Sequence, residues 1–300
     1  MILQLAADGL TTGAILGLGA IGLTLGMRIL RFANFSHAEL LTWGAYLALV
    51  VVAAGAAGRP LGPLSFGWPL LVAAALAAAA TGGLAVLVDR LLFRPLRTRG
   101  AVAVTLIFAS FGASLVLRNV LLLLWGPHAH YYGRELTMAV EVLPGVRVMP
   151  DQVFVLALAL VLVLAVHGFL VGTRLGLAMR ATAESPTLAR VSGIEVEAVV
   201  RWTWMVSGAL AAAGGVFFGL TVQIRPEMGF SLLLPIFAAV VLGGLDSLAG
   251  AVVGGLAVGL AESLSILVVP PGYKPAVPFL ILILVLFFKP TGLFGSAAAR

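Results

Sequence analysis

Long apolar stretches separated by short polar connections run through the whole sequence. They lie at about residues 3–27, 38–57, 68–88, 101–125, 152–172, 202–222, 231–243, 250–269 and 276–288. A helix needs about 20 apolar residues to cross a bilayer, so this pattern predicts about eight or nine transmembrane segments, although two stretches are too short for an ordinary span. The predicted fold class is an all-α polytopic membrane protein with a single transmembrane domain over residues 1–300.

Two polar or glycine-rich interruptions break the apolar pattern. Residues 34–39 carry polar side chains with no long loop to bring them to water, and residues 243–250 combine glycines with turn-forming residues. An unpaired backbone group in lipid costs several kcal/mol, so a helix broken at membrane depth must be buried in protein or line a wet cavity. We therefore expect discontinuous helices, with these residues lining the cavity: Asn34, Phe35, Ser36, His37, Glu39, Gly243 and Gly244.

Two of these side chains allow more than one interpretation. His37 is either a solute ligand or a hydrogen-bond partner between helices. Glu39 costs roughly 2.5–3.5 kcal/mol to place at the centre of a membrane helix, so it should be paired or face water. We favour a structural role for Glu39, with a partner among Arg28, Arg31 and His37.

Composition limits the class of protein. Hydrophobic residues make up 61% of the chain and charged residues 10%, whereas soluble domains have roughly 45–50% and about 25%. These values exclude a soluble enzyme. The chain has no cysteine, which excludes disulfides and thiolate metal sites. Its net charge of +6 comes from arginines in short loops, so it indicates membrane topology and not nucleic-acid binding.

Arginine counts predict the orientation in the membrane. The connections 90–99 and 174–201 each carry four arginines, whereas 126–151 carries only Arg134 and Arg147. Because cytoplasmic loops are enriched in Lys and Arg, the first two connections are predicted to be cytoplasmic and the third external. Met1 is then outside and the tail from Lys289 inside if 231–243 crosses the membrane. If 231–243 re-enters and returns, there are eight spans and an external C-terminus.

The connection 174–201 contains a predicted short helix. Ser185 followed by Pro186 is typical of a helix start, and Gly193 suits the residue after a helix end. The helix, about 186–192, has Leu188 and Val191 on one side. Isolated helices below about 12–15 residues are marginal in water, so it needs a packing partner. It is either an inert turn over the bundle or a docking element for a cytoplasmic protein.

Four motifs together resemble the branched-chain amino-acid permease family of ABC importers. They are the stretches Arg31-Phe-Ala-Asn-Phe-Ser-His-Ala-Glu39, Arg180 to Ile194, Val241 to Gly250, and Lys289-Pro-Thr-Gly-Leu-Phe-Gly295. Their order and spacing cover nearly the whole chain, and the chain resembles the smaller of the two paired permeases. Arg118 stands before Asn119 where glutamine is usual in the family.

The resemblance implies a permease in the bacterial inner membrane that forms half of a translocation pathway lined by both breaks. It implies two cytoplasmic ATPases, a second related permease, an external solute-binding protein and a small amino-acid-like solute as partners, with no nucleic acid, metal or cofactor. Branched-chain amino acids are the expected solutes, with other amino acids, urea and short amides as alternatives. It places ATPase coupling on Arg180, Ala183, Glu184, Leu188, Arg190, Val191 and Gly193.

Two other classes of function remain as alternatives. A secondary transporter would couple to an ion through intramembrane carboxylates, for which Glu39 and Glu262 are the candidates. An intramembrane enzyme would need a nucleophile or a metal, and the pair His37 and Glu39 is too sparse for either. The chain has no Gly-x-x-x-x-Gly-Lys-Ser/Thr motif, so it cannot bind ATP through a P-loop. We therefore expect no catalytic residues in this chain.

Overall fold

The structure is a computed structural model that describes residues 1–55, 60–133, 138–143 and 146–295. The helices are α1 (Ile2–Leu30), α2 (His37–Ala54), α3 (Trp68–Val88), α4 (Arg94–Thr98), α5 (Ala103–Trp125), α6 (Pro150–Gly172), α7 (Arg174–Glu184), α8 (Pro186–Val191), α9 (Val196–Thr221), α10 (Met228–Gly243), α11 (Leu248–Leu264) and α12 (Ala276–Phe288). In the described part of the chain, seven helices are long and apolar enough to cross a membrane, and α10 and α12 are shorter apolar helices. The predicted polytopic all-α fold is confirmed.

Helix α1 lies at the centre of the bundle. Its most apolar 18-residue window is 83% buried, against 17% for the corresponding window of α6, which presents most of its surface outward. Glycines let α1 and α11 approach closely: a Cβ added to Gly255 would lie 2.5 Å from the Gly17 nitrogen, and one added to Gly13 would lie 2.7 Å from the Leu256 Cα. Small residues at such contacts allow the backbones to touch, which favours helix association in lipid.

Helices α10 and α11 form an antiparallel hairpin. Gly243 contacts Gly250, and farther from the turn Gly254 contacts Ala239. Gly244 has φ 104°, and the Ser247 hydroxyl caps α11 by accepting a hydrogen bond from the Gly250 amide at 2.9 Å. The interruption predicted near residue 243 is therefore a turn between two helices, and not a break within one helix that continues in the same direction.

The two ends of the bundle are distinct. At one end Gln4 exchanges two hydrogen bonds with the backbone of Arg147, at 2.8 and 2.9 Å. The opposite end, here called the arginine-rich end, carries α4, α7 and α8. Leu248, just after the hairpin turn, lines a cleft there together with Arg28 and Arg180. The hairpin turn therefore lies at the arginine-rich end.

The C-terminal segment also lies at the arginine-rich end. The Leu293 amide donates to the Leu242 carbonyl at 2.8 Å, beside the hairpin turn. The C-terminal segment and the 174–201 connection therefore share one end of the bundle, as the topology in which 231–243 crosses predicts. Which segments cross the membrane stays a prediction. Arg134 lies outside the described residues.

Two local features were not predicted. Strands β1 (Val140–Leu143) and β2 (Val146–Val148) form a small antiparallel hairpin within the 126–151 connection. A π-helical turn, Asp89–Phe93, joins α3 to α4, and the buried Asp89 carboxylate pairs with Arg97. Alternation of Val with charged residues in 146–148 is a strand signal, but it is too short to stand out from one sequence.

Candidate functional site

The first break lies inside the bundle. Arg31 ends α1 in the left-handed conformation, with φ 58° and ψ 32°, and residues 31–36 are not helical. Helix α2 begins at His37, whose Nε2 lies 3.0 Å from the Gly19 carbonyl oxygen of α1. Gly19 is 11 residues before the last residue of α1, about 16 Å at 1.5 Å per residue. The chain therefore turns back into the bundle before α2 starts. The interruption predicted at residues 34–39 is observed at residues 31–36, and His37 and Glu39 belong to α2.

Polar groups within the break satisfy one another. The Asn34 side-chain oxygen accepts hydrogen bonds from the Ser36 amide at 3.1 Å and the Ser36 hydroxyl at 2.7 Å. The Phe35 amide donates to the Ser110 hydroxyl of α5 at 3.0 Å. Asn34 and Ser36 are both buried. These bonds replace the helical ones that the break removes, and they attach the segment to α5.

His37 is held between helices. Its Nε2 lies beside the Gly19 carbonyl, and its Nδ1 lies 3.3 Å from the Ser207 hydroxyl of α9, which donates to the Gly22 carbonyl at 2.7 Å. The ring is 2% exposed, so both nitrogens are already engaged with protein groups. This arrangement favours the interpretation of His37 as a hydrogen-bond partner between α1, α2 and α9.

Glu39 has one partnered and one unpartnered oxygen. Its Oε1 accepts from the Ser114 hydroxyl of α5 at 3.4 Å, whereas Oε2 is buried without a hydrogen-bond partner. The Arg118 guanidinium, four residues after Ser114 on α5, lies over the Phe230 ring, 5.2 Å from its centroid. A buried carboxylate oxygen without a donor is costly, and a bound cation can satisfy it.

The partner expected for Glu39 is different from the one observed. We expected Arg28, Arg31 or His37, but His37 bonds to α1 and α9, and Arg31 reaches the last turn of α7. The reason is helical geometry: residues two apart on a helix point roughly 200° apart, so His37 and Glu39 face opposite sides of α2. Glu39 consequently faces α5, where Ser114 lies.

An aromatic cluster closes over the break. The Phe35 ring stacks on Phe237 of α10 with centroids 5.0 Å apart, and it meets the edge of Phe111 of α5 at 6.3 Å. These three rings, named here the Phe35 cluster, join the break to two helices. A cluster of this kind can obstruct water until the helices move apart.

Gly243 and Gly244 lie elsewhere. Gly243 contacts Gly250 across the hairpin turn, and Gly244 contacts Gly292 and Gly295 of the C-terminal segment. The structure thus packs this second interruption at the arginine-rich end, whereas α10 contacts the first break through Phe237. Lining of one shared cavity by both breaks is an untested prediction.

Helix α8 matches its predicted position. Ser185 caps it by accepting from the Leu188 amide at 3.3 Å, and Gly193 follows its end with φ 84°. Leu188 is 68% exposed and Val191 83% exposed, whereas Ala189 is buried. The other predicted coupling positions Arg180, Glu184, Arg190 and Gly193 are exposed, and Ala183 is partly buried. An apolar pair facing solvent at the end of a membrane bundle is suited to contact a partner protein.

One contact of this region was not predicted from the sequence. The Arg31 guanidinium donates to the carbonyl oxygens of Ala183 at 3.4 Å and Glu184 at 3.1 Å, the last two residues of α7. It therefore joins the end of α1 to the predicted coupling region. No local pattern signals this contact, because the partners are 152 and 153 residues apart.

The two intramembrane carboxylates lie at different depths. Ser263, the residue after Glu262, donates to the Leu5 carbonyl of α1, whereas Glu39 lies two residues after His37, which contacts the Gly19 carbonyl. Fourteen residues of α1 separate these levels, roughly 21 Å.

In the part of the chain that the structure describes, no three His, Cys, Asp or Glu residues group as a metal site would require.

Replacement of Glu39 by glutamine is expected to separate transport from stability. Glutamine keeps an acceptor for Ser114 and removes a poorly partnered buried charge, so the thermal midpoint of the solubilised protein should stay the same or rise. Uptake should fall about tenfold or more if Oε2 contacts the solute. The measurements are a melting curve and a transport rate.

Ser114→Ala is the matched control for that variant. It deprives Oε1 of its donor but keeps the charge, so we expect a loss of roughly 1 kcal/mol of stability. A lowered midpoint with normal uptake in Glu39→Gln would return Glu39 to a purely structural role.

Known proteins resemble the chain over most of its length. Residues 5–286 match a family model described as "Branched-chain amino acid transport system / permease component". The chain is 32% identical to the high-affinity branched-chain amino acid transport system permease protein BraD of Pseudomonas aeruginosa, over 98% of this chain and 95% of that protein. It is also 32% identical to the corresponding LivH of Escherichia coli K12, with the same 98% and 95% coverage. A probable LivH of Methanocaldococcus jannaschii is 28% identical over 92% of this chain and 87% of its own length. No solved structure matches the chain.

Proposed function

The chain belongs to the family of permease components of branched-chain amino acid transport systems, and from this we propose that it forms half of the translocation pathway of an ATP-driven importer. In this proposal a second related permease completes the pathway, and an external solute-binding protein delivers the solute. Two cytoplasmic ATPase subunits hydrolyse ATP, so this chain is not itself the enzyme. It is a multi-pass protein of the inner membrane.

The observation that carries the proposal is the helix break at Arg31–Ser36, which leads from the arginine-rich end to the buried Asn34 and Ser36 and is closed by the Phe35 cluster. Broken helices at membrane depth are typical of transporter binding sites, because their freed backbone groups and adjacent side chains can face a solute. We propose that Asn34, Phe35, Ser36, His37 and Glu39 form or support the pathway wall, and that separation of the Phe35 cluster opens it. In this proposal Gly243 and Gly244 also belong to the pathway, at the turn between α10 and α11.

Two opposite charges beside the break support an amino acid as the solute. Glu39 offers a buried, unpartnered carboxylate oxygen, and Arg118 on the neighbouring helix supplies a cation. In our proposal the solute's ammonium group approaches Glu39 and its carboxylate approaches Arg118, while the aromatic rings contact its apolar side chain. Urea and short amides carry neither charge, so this arrangement favours a branched-chain or related amino acid over them.

The coupling region completes the proposal. Leu188 and Val191 of α8, flanked by Arg180, Glu184 and Arg190, contact an ATPase subunit at the arginine-rich end. By this proposal the connection 174–201 is the cytoplasmic coupling loop and 126–151 is external. The arginine counts that favour this orientation follow the positive-inside rule.

Uptake of radiolabelled leucine tests the proposal. The chain is expressed with its partner permease, ATPases and binding protein in cells that lack their own branched-chain amino-acid importers. We expect leucine uptake, and we expect it to be lost when the ATPases carry a substitution in their nucleotide site. Excess isoleucine or valine should reduce leucine uptake, whereas urea and acetamide should not. Uptake by this chain alone, abolished by a protonophore, would identify an ion-coupled carrier and refute the proposal.

A further inference from the structure

We propose that Arg31 is a positioning residue that transmits movement of the α7–α8 region to the helix break at residues 31–36. The inference rests on the proposed function, since it assumes that an ATPase moves α7–α8 and that the break lines the pathway. It adds a named side chain that connects the two regions. Sequence motifs place Arg31 beside the pathway segment only, and the contact with α7 is visible only in three dimensions.

The first support is the chemistry of the contact. Ala183 and Glu184 are the last two residues of α7. The carbonyl oxygens of a final helical turn accept no hydrogen bond from within the helix, so they are free to accept one from another side chain. They also lie at the negative end of the helix dipole, where a cation is favoured. The Arg31 guanidinium bonds both, at 3.4 and 3.1 Å, so a displacement of the end of α7 pulls directly on α1.

The second support is the backbone at Arg31. Among the described residues, Arg31 is the only one other than glycine with a positive φ, 58°. Glycine adopts this conformation at the least cost. A long side chain at such a position is strained, and strain of this kind is kept where the side chain has a task. The left-handed backbone turns the chain away from the α1 axis, so that the guanidinium reaches α7 while the next residues return into the bundle.

The third support is a fixed point just beyond Arg31. Phe32 is buried, and its ring lies 5.2 Å from Phe93, which stacks on Trp204 of α9 with centroids also 5.2 Å apart. Aromatic contacts of this size hold a side chain in place. With Phe32 held, a pull on Arg31 rotates the short segment about Phe32, and the rotation reaches Asn34 and Phe35. Phe35 is the residue that closes the Phe35 cluster.

Two variants separate this role from a structural one. Arg31→Gly removes the guanidinium and relieves the left-handed backbone, so the assembly should melt at the wild-type temperature or above. Arg31→Lys keeps a cation with three donors, but its shorter side chain places the ammonium farther from the two carbonyls. For Arg31→Gly we expect the ratio of solute-stimulated to unstimulated ATP hydrolysis to fall to near one and uptake to fall at least tenfold, with partial recovery in Arg31→Lys.

The matched control is Arg99→Gly, just after the end of α4 at the arginine-rich end. Arg99 is exposed and lies outside the 174–201 connection. It should leave uptake and the ATP hydrolysis ratio at wild-type values. Wild-type coupling in Arg31→Gly, in an assembly that melts normally, would overturn the proposal.

A reporter at the break distinguishes the possible failures. In this cysteine-free chain, Ser36→Cys gives a single thiol whose reaction with a small aqueous reagent is followed with and without ATP. We expect the thiol's reactivity to depend on nucleotide in the Ser36→Cys protein and not in the Ser36→Cys, Arg31→Gly double variant. If reactivity responds equally in both, the Arg31 proposal fails alone. If it responds in neither, the proposed function of the break fails.

Discussion

Leu188→Asp is expected to abolish solute-stimulated ATP hydrolysis and uptake while the protein still inserts into the membrane. Leu188 is 68% exposed on a helix of six residues whose cap and buried Ala189 hold it in place, so the substitution removes little packing within the chain. In the assembled transporter it would put an unpaired carboxylate into an apolar contact. Such a change at the centre of an interface typically costs about 2 kcal/mol or more.

The control for Leu188→Asp is Thr187→Asp. Thr187 is exposed one residue earlier, so it adds the same charge roughly 100° away around the helix. Measurement of ATP hydrolysis in reconstituted vesicles, with and without solute-loaded binding protein, compares the two. Normal stimulation in Leu188→Asp would show that α8 is only a turn over the end of the bundle.

Gly259→Val is expected to prevent stable folding. A Cβ at this position would meet the backbone nitrogen and Cα of Gly13 and, 2.7 Å away, the carbonyl oxygen of Gly9. Backbone atoms of the central helix cannot move aside as a flexible side chain can, so α1 and α11 would have to separate. Overpacking typically costs about 1–3 kcal/mol, and we expect the upper end of that range or more here. The measurement is membrane yield together with a melting curve.

Gly83→Val provides the comparison for that substitution. Gly83 lies on the exposed face of α3, and apart from the adjoining backbone of α3 itself an added Cβ would meet none of the described residues within 4 Å. Valine there should leave the melting midpoint within a few degrees of wild type, since valine has a somewhat higher helix propensity than the glycine it replaces. A wild-type melting midpoint for Gly259→Val would show that α1 and α11 are not in close backbone contact at this position.

Local sequence signals predicted the elements well. Long apolar runs identify the spans because the bilayer fixes their length, and Ser185, Pro186 and Gly193 bound α8 because caps are decided by neighbouring residues. The break, predicted at residues 34–39 and observed at 31–36, was visible for the same reason, since the polar residues there had no route to water. Each of these signals acts over a few residues of chain.

Contacts between distant residues could not be predicted in the same way. The Glu39 partner depends on how α2 is rotated toward α5, and the stacking of Phe35 on Phe237 joins positions about 200 residues apart. Helix rotation is set by all neighbouring helices together, and a single sequence does not contain it in local form. The sequence left open whether 231–243 crosses or re-enters for the same reason, because turn residues show that a helix ends but not where the next one goes.

One non-local contact did leave a usable signal. Gly9, Gly13 and Gly17 recur every fourth residue in α1, and Gly255 and Gly259 have the same spacing in α11. Residues four apart share a helix face, so two glycine faces in apolar helices predict close packing between them. This spacing alone is enough to indicate that α1 and α11 pack closely.

The most direct test of the account is the reactivity of Ser36→Cys in the complete transporter. Ser36 is 1% exposed in the structure, so a thiol there is expected to be shielded in this conformation. If the break forms the pathway wall and the ATPases open it, the rate of labelling by a small aqueous thiol reagent should change severalfold between nucleotide-free and ATP-bound assemblies. Removal of the ATPase subunits should eliminate that change. An equal rate in all three preparations would contradict the account, because the break would then be a packing feature that does not move during transport.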